Sequence, residues 1–344
     1  MFDVHESEAA TGLAYPEPSH PIAEGFMQRD HHRVYWHEYG NPGGEPVIFL
    51  HGGPGAGSKA RHARFFNPRK YRVVMFDQRG CGRSEPRAQD DPRALDANTT
   101  LDLVGDIVAL RAARGLAEPA HIFGGSWGST LALAYAIQHT ADIKTLILRG
   151  IFLCRKPDLD YFYQGNATTY PAGIDRPGTY LSYPEAWAPF VETIAQEKRG
   201  NMIQAYAEIF NATSHPRLEE AAKAWSVWEG ATSYLSPGPN LADHEDPEFA
   251  KAFARLENHY FTHQAFFPSP DYLLDHAPDY AHLPIHIVQG RFDQVCPRFQ
   301  ADQLVAALRR AAPGRPPHYV VTTAGHSAFE PETARALTRI MDDL

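Results

Sequence analysis

Ser126 lies in the run Gly124-Gly125-Ser126-Trp127-Gly128, between an apolar stretch, Ala120 to Phe123, and an alanine- and leucine-rich stretch, Ser129 to His139. A serine on a sharp strand-to-helix turn projects its hydroxyl clear of a sheet, and flanking glycines let the two backbones pass without a Cβ clash. The hydroxyl is a poor nucleophile at neutral pH. It needs a neutral imidazole to take its proton and a carboxylate to fix that imidazole's tautomer. On such a turn the partners follow in the order serine, acid, histidine. Asp293 ends the turn Gly290-Arg291-Phe292-Asp293 after the apolar run Pro284 to Gln289, and His326 sits in Ala324-Gly325-His326-Ser327 after the run His318 to Thr322. Both stand just past the carboxyl end of a strand-like run, which in a parallel sheet delivers them to the edge where Ser126 sits. An aspartate in a Gly-x-x-Asp turn is also an ordinary turn former. No other acidic residue between Ser126 and His326 ends a core strand so cleanly.

Acyl transfer also needs backbone N–H donors aimed at the developing oxyanion. The loop His51-Gly52-Gly53-Pro54-Gly55 closes the run Pro46 to Leu50 and offers the Gly53 N–H; Trp127, next after the serine, offers the second. The loop 77–84, Asp-Gln-Arg-Gly-Cys-Gly-Arg-Ser, is expected to be structural, with Asp77 and Arg79 pairing to brace the floor of the site. Gly80-Cys81-Gly82 lacks the third glycine and the helix start of a dinucleotide site.

These residues require strands alternating with helices. Strands are expected over Arg33 to Tyr39, Pro46 to Leu50, Tyr71 to Phe76, Ala120 to Phe123, Lys144 to Leu148, Pro284 to Gln289 and His318 to Thr322. Helices are expected from Thr100 to about Gly115, capped by Thr99 with Leu101, Val104, Val108 and Leu110 inward, and over Trp127 to His139, Arg298 to Ala312 and Pro331 to Leu344. From about Ile151 the strand signals stop and helical ones take over, at Tyr183 to Glu197, Asn201 to Phe210, Pro216 to Glu229 and Asp246 to His259. The expected architecture is a doubly wound, mostly parallel α/β sheet with a helical insertion between the strands Lys144 to Leu148 and Pro284 to Gln289: residues 1–150 and 281–344 form the core, and 151–280 a cap over the strand ends.

Composition agrees. The chain has 344 residues, 43% of them hydrophobic, enough for a sizeable core. The net charge of −9, with no Lys/Arg cluster, argues against nucleic acid. No apolar run is long enough to span a bilayer, and the first thirty residues carry no export signal. Three sparse cysteines suggest neither a disulfide framework nor a metal site, so a reducing cytoplasm is expected. Residues 151–280 hold 9 Lys and Arg against 18 Asp and Glu, and 22 of the 40 aromatic residues. That acidic, aromatic middle reads as an inserted unit of separate purpose, although a solvated helical surface over an aromatic core accounts for most of its carboxylates.

Together the motifs His-Gly-Gly-Pro-Gly (51–55), Asp-Gln-Arg-Gly-Cys-Gly-Arg-Ser (77–84), Gly-Gly-Ser-Trp-Gly-Ser (124–129), Leu-Arg-Gly-Ile-Phe (148–152), Trp-Ser-Val-Trp-Glu-Gly (225–230), Glu-Asn-His-Tyr-Phe (257–261), Gly-Arg-Phe-Asp-Gln-Val-Cys-Pro (290–297) and Ala-Gly-His-Ser (324–327) resemble those of the proline iminopeptidases, a family of the α/β-hydrolase superfamily. The likeness runs from about Pro21 to the C-terminus. It implies release of an N-terminal proline from peptides with no metal or cofactor, with Ser126, Asp293 and His326 as the triad. It further implies that Glu229 and Glu257 hold the substrate's amino group and that Phe152 and Phe261 line the proline pocket, with Cys296 close by. Without the resemblance, Glu229 and Glu257 read as solvated helix positions. Two departures from the family pattern stand out. Phe162 occupies a position where some relatives carry a tyrosine, which would remove a pocket hydroxyl. The segment Gly165 to Trp187, with Pro171, Gly173, Pro177, Gly178 and Pro184, is longer than the usual cap connection and is placed to reshape the entrance.

The expected activity is therefore serine aminopeptidase chemistry through an acyl-enzyme, on a peptide with a free N-terminus. One alternative is an esterase or amidase of the same fold acting on small uncharged acyl groups, which would not need paired carboxylates in its cap. Another is a non-catalytic binding protein of hydrolase fold, which would have no reason to keep all three triad residues in register. Oligomeric state leaves no mark in the sequence.

Overall fold

A computed structural model describes residues 12–174, 176–212, 214–235 and 241–344. Eight strands form one sheet: β1 (Ala23–Arg29), β2 (His32–Gly40), β3 (Glu45–Leu50), β4 (Tyr71–Phe76), β5 (Ala120–Ser126), β6 (Ile143–Ile151), β7 (Ile285–Gly290) and β8 (His318–Thr322). Their order is β1-β2-β4-β3-β5-β6-β7-β8. β2 pairs antiparallel with β1 and β4, and every later pairing is parallel. The middle strands read as unbroken apolar runs because both faces are covered, and β5 is buried at every position. After β3 the chain moves outward to β4, and it then returns to place β5 on the other side of β3. That reversal opens a crevice beyond the carboxyl ends of β3 and β5, where a doubly wound sheet binds its ligand.

Helices of nine residues or more are α1 (Thr100–Ala113), α2 (Trp127–Gln138), α3 (Pro184–Glu192), α4 (Met202–Phe210), α5 (Leu218–Thr232), α6 (Pro247–Thr262), α7 (Arg298–Ala311) and α8 (Pro331–Asp343). The cap read from sequence at Thr99 is the one used, and Asn201 and Asp246 cap two further helices. Thr99 and Asp102 form a reciprocal cap on α1, the Asn201 side chain accepts the Gln204 N–H at α4, and that of Asp246 accepts the Phe249 N–H at α6. All four helices between β6 and β7 were expected. Their aromatic residues, Trp187, Phe190, Trp225, Trp228 and Phe261 among them, pack into one cluster continuous with one face of the sheet.

Three expectations need correction. The edge strand β1 was not delineated, because half of its side chains face solvent and its apolar pattern is weak. On α1, Leu101 and Val108 point outward, 61% and 39% exposed, and the buried stripe is Leu103, Val104, Ile107 and Leu110. Asp77 and Arg79 do not pair with each other. Arg79 is clamped by both oxygens of Asp106, at 2.7 and 2.6 Å, and also donates to Asp30. Asp77 accepts from Ser58 (N and Oγ) and from the Arg83 N–H. In a strand residues two apart share a face, but β4 ends at Phe76 and the chain turns, so that periodicity no longer relates Asp77 to Arg79.

Candidate active site

Ser126 occupies the turn from β5 to α2 at φ 58°, ψ −127°, a strained conformation for a residue with a side chain. The glycines around it are required sterically. A Cβ on Gly124 would run into the Gly128 carbonyl, and one on Gly128 into the Leu50 carbonyl. Gly125 has a different reason: the guanidinium of Arg149 fills the space its Cβ would take. Strain and close crossing together present the hydroxyl at the switch-point crevice.

Asp293 is buried, and all of its acceptor capacity is used. Oδ1 takes the N–H groups of Val295 and Cys296 at 3.0 and 2.7 Å; Oδ2 takes Gln289 Nε2 at 3.2 Å and His326 Nδ1 at 2.8 Å. With its oxygens occupied by these four donors, the carboxyl group holds the imidazole through the proton on Nδ1, leaving the Nε2 lone pair on the crevice side. The neighbour of Nε2 is Arg149 Nη1 at 3.2 Å; the same nitrogen donates to the His326 carbonyl at 2.9 Å. Ser126 and His326 line one cavity, and no hydrogen bond joins them in this state. Gly150, at φ 55°, lies against the acid–histidine pair, where a Cβ would come 3.2 Å from His326 Cε1 and 3.4 Å from Asp293 Oδ2.

Gly53 borders the crevice beside Ser126, and Trp127 is the first residue of α2, where backbone N–H groups lack helical partners and the helix dipole is positive. Two residues that sequence reasoning left without a role tie these elements together. Gln78 accepts from Trp127 Nε1 at 2.8 Å and donates to the His51 carbonyl at 3.0 Å. His51, buried and held neutral by burial, accepts the Gln78 N–H and donates to the Gly52 carbonyl. Gln289 does the same on the acid side, joining Ile151, Asp293 and Cys296. A polar residue inside an apolar strand run was the available signal for Gln289.

Six of the expected site residues, Gly53, Ser126, Phe152, Glu229, Phe261 and Cys296, line one small, tightly closed inner cavity. Phe152 and Phe261 meet edge to face at 5.6 Å. Glu229, on α5, and Glu257, on α6, are both buried rather than solvated. The Tyr163 hydroxyl donates to Glu229 at 3.1 Å and lies 3.5 Å from Glu257, and Trp225 Nε1 donates to Glu257 at 2.7 Å. Glu257 Oε1 is buried with no partner among the described residues. Burial, then the neighbouring Glu229, pushes the Glu257 carboxyl well above its ordinary range, and burial raises Glu229 as well. Two buried carboxyl groups joined through one hydroxyl oppose each other's ionisation, and of the two Glu257 holds its proton the more tightly.

The missing tyrosine at 162 costs the pocket no hydroxyl, since Tyr163 supplies it. The segment 165–187 lines neither cavity among the described residues. It turns back onto the acid loop instead, with Thr179 Oγ1 donating to the Gln294 carbonyl at 2.7 Å.

A strained serine at a switch point thus shares one cavity with a histidine backed by a buried aspartate. The family model described as the alpha/beta hydrolase fold matches residues 45–333. Among curated proteins, the proline iminopeptidase of Arabidopsis thaliana is 44% identical over 317 residues, 91% of this chain and 77% of its own length. That of Xylella fastidiosa (strain Temecula1 / ATCC 700964) is 44% identical over 330 residues, 95% and 98%. The chain belongs to the α/β-hydrolase fold family and, within it, to the proline iminopeptidases. A solved structure of a thermophilic esterase from Thermogutta terrifontis superposes with a TM-score of 0.61 over 93% of this chain and 97% of its own, at 16% identity, a likeness of fold alone.

Proposed function

We propose that the chain is a prolyl aminopeptidase: a serine hydrolase that releases proline from the N-terminus of peptides. The observation that carries this reading is buried Glu229, which lines the same small aromatic pocket as Ser126, with a second buried carboxyl, Glu257, behind it and linked to it through the Tyr163 hydroxyl. A secondary ammonium replaces the proton that Glu257 holds and makes charge-assisted hydrogen bonds to both carboxylates, which an internal peptide bond or an acylated amine cannot do. Phe152, Phe261 and Cys296 then surround the ring.

In the proposed mechanism, His326 takes the Ser126 proton on Nε2 while Asp293 stabilises the imidazolium. The hydroxyl attacks the prolyl carbonyl, and the Gly53 and Trp127 N–H groups receive the oxyanion. The His326 proton passes to the leaving amine, and water, activated in the same way, frees proline. No step calls on a metal or cofactor. We assign 151–280 as the cap that supplies the amine site and 1–150 with 281–344 as the catalytic core. No helix among the described residues is long and apolar enough to cross a membrane, and all three cysteines are free; with these we place the protein in the cytoplasm, acting on peptides with a free N-terminus.

The test compares proline β-naphthylamide with its N-acetyl form. Hydrolysis of the first and not the second supports the reading. Equal hydrolysis would instead describe an esterase or amidase.

A further inference from the structure

The two cavities that meet at Ser126 differ in charge. The inner one ends in Glu229 and takes the acyl side of the substrate. The outer one, an open vestibule of about 180 Å³, shares Gly53, Ser126 and Glu229 with it and is walled by the basic Arg149, Lys59 and Arg61, by one further carboxylate, Asp243, and by His326. The leaving amine must depart through the vestibule, because it takes its proton from His326.

Arg149 is the unexplained group there. Its side chain is half-buried, lies flat over Gly125, and has no carboxylate within ion-pair distance among the described residues. Its Nε is buried with no hydrogen-bond partner, and burial pulls its pKa below the ordinary arginine value against the opposing field of Asp293. A guanidinium enclosed without a counter-ion is costly, and its planar fork matches a carboxylate. Lys59, by contrast, already has Asp243 at 2.6 Å. Arg149 Nη1 lies 3.2 Å from His326 Nε2, the atom beside which the leaving nitrogen must sit. In a dipeptide, the α-carboxylate is only two bonds beyond that nitrogen.

We propose that Arg149 binds the free α-carboxylate of the residue after proline, so that dipeptides of the form Pro-X are the preferred substrates. The carboxylate completes the charge of Arg149 and draws Nη1 away from Nε2, freeing the lone pair to take the Ser126 proton. The preferred substrate thus both binds at Arg149 and unmasks the base, and the gain appears in kcat as well as KM.

This inference rests on the proline-releasing reading, and the experiment separates the two. The purified protein is assayed with Pro-Ala, Pro-Ala-amide and proline β-naphthylamide. Pro-Ala is expected to exceed its amide in kcat/KM by about 10- to 100-fold, the range of a desolvated charge-assisted contact, with part of the gain in kcat. In R149M the ratio should collapse to within about threefold, and R149K should keep part of it. The wild-type ratio needs no variant and decides the matter should R149M not fold. Hydrolysis of the naphthylamide with a wild-type ratio near one overturns this inference alone. Failure to release proline from any of the three substrates overturns the proline-releasing reading beneath it.

Discussion

Glu229→Gln isolates recognition of the cationic terminus from the chemistry at Ser126. The amide is nearly isosteric, and its carbonyl oxygen can still accept the Tyr163 hydroxyl now 3.1 Å from Oε2, so packing on α5 is kept and only the charge is lost. The side chain is 8% exposed and lines the cavity that holds Ser126, so its contact with an ammonium is little screened by solvent. A hydrogen bond to a charged group in such surroundings contributes about 1.5–3 kcal/mol, and its loss should lower kcat/KM for proline β-naphthylamide by about 10- to 150-fold. 4-Nitrophenyl acetate, which has no amine, uses the same serine and histidine and should fall by less than about threefold. Parallel measurements on the two substrates, with a thermal melt to verify folding, form the assay. Equal losses on both would refute the amine-binding role and leave Glu229 a merely structural residue.

Gly150→Ala forces a side chain into a left-handed position 3.2 Å from His326 Cε1; kcat should drop at least about tenfold while KM changes little, as steady-state kinetics would reveal. Glu257→Gln should alter stability in a pH-dependent way. Because the folded-state pKa of Glu257 lies above the ordinary 4.5, its contribution to stability is whole below pH 4.5 and disappears as pH rises through the raised value. The variant, lacking that proton, should therefore gain in Tm relative to wild type between pH 4.5 and pH 8; a difference independent of pH would contradict the proton on Glu257. Asp106→Asn removes the charge facing buried Arg79 and should destabilise by about 3–5 kcal/mol, read as a lower urea midpoint. An unchanged midpoint would show that Asp30 and the Ala97 carbonyl suffice to hold the guanidinium.

What could be read from the chain divides along physical lines. The parallel core was legible because its strands are short apolar runs alternating with helical stretches of ten residues or more, patterns that depend on local sequence. The placement of Ser126, Asp293 and His326 at one sheet edge was legible because turn chemistry and strand order confine them there. β1 was not, since an edge strand with one wet face leaves little apolar signal, and the inward face of α1 was misjudged by about one residue's rotation. The Asp77–Arg79 pairing failed because sequence proximity in a loop says nothing about direction, and Arg79 finds its partner on α1, 27 residues away. Glu229 and Glu257 were identifiable only through family motifs. Helical periodicity alone marks them as ordinary surface positions, and burial of the pair follows from α5 packing on α6, a long-range contact. Gln78, Gln289 and Arg149 escaped notice for a similar reason, as each acts by bridging loops that only the folded sheet brings together.

Reaction with a fluorophosphonate, followed by peptide mapping and a parallel assay on proline β-naphthylamide, addresses the central claim most directly. A single adduct on the peptide containing Ser126, formed in step with loss of activity and absent from Ser126→Ala, is the predicted result. Full labelling at that serine with activity retained, or loss of activity with the adduct elsewhere, would contradict it.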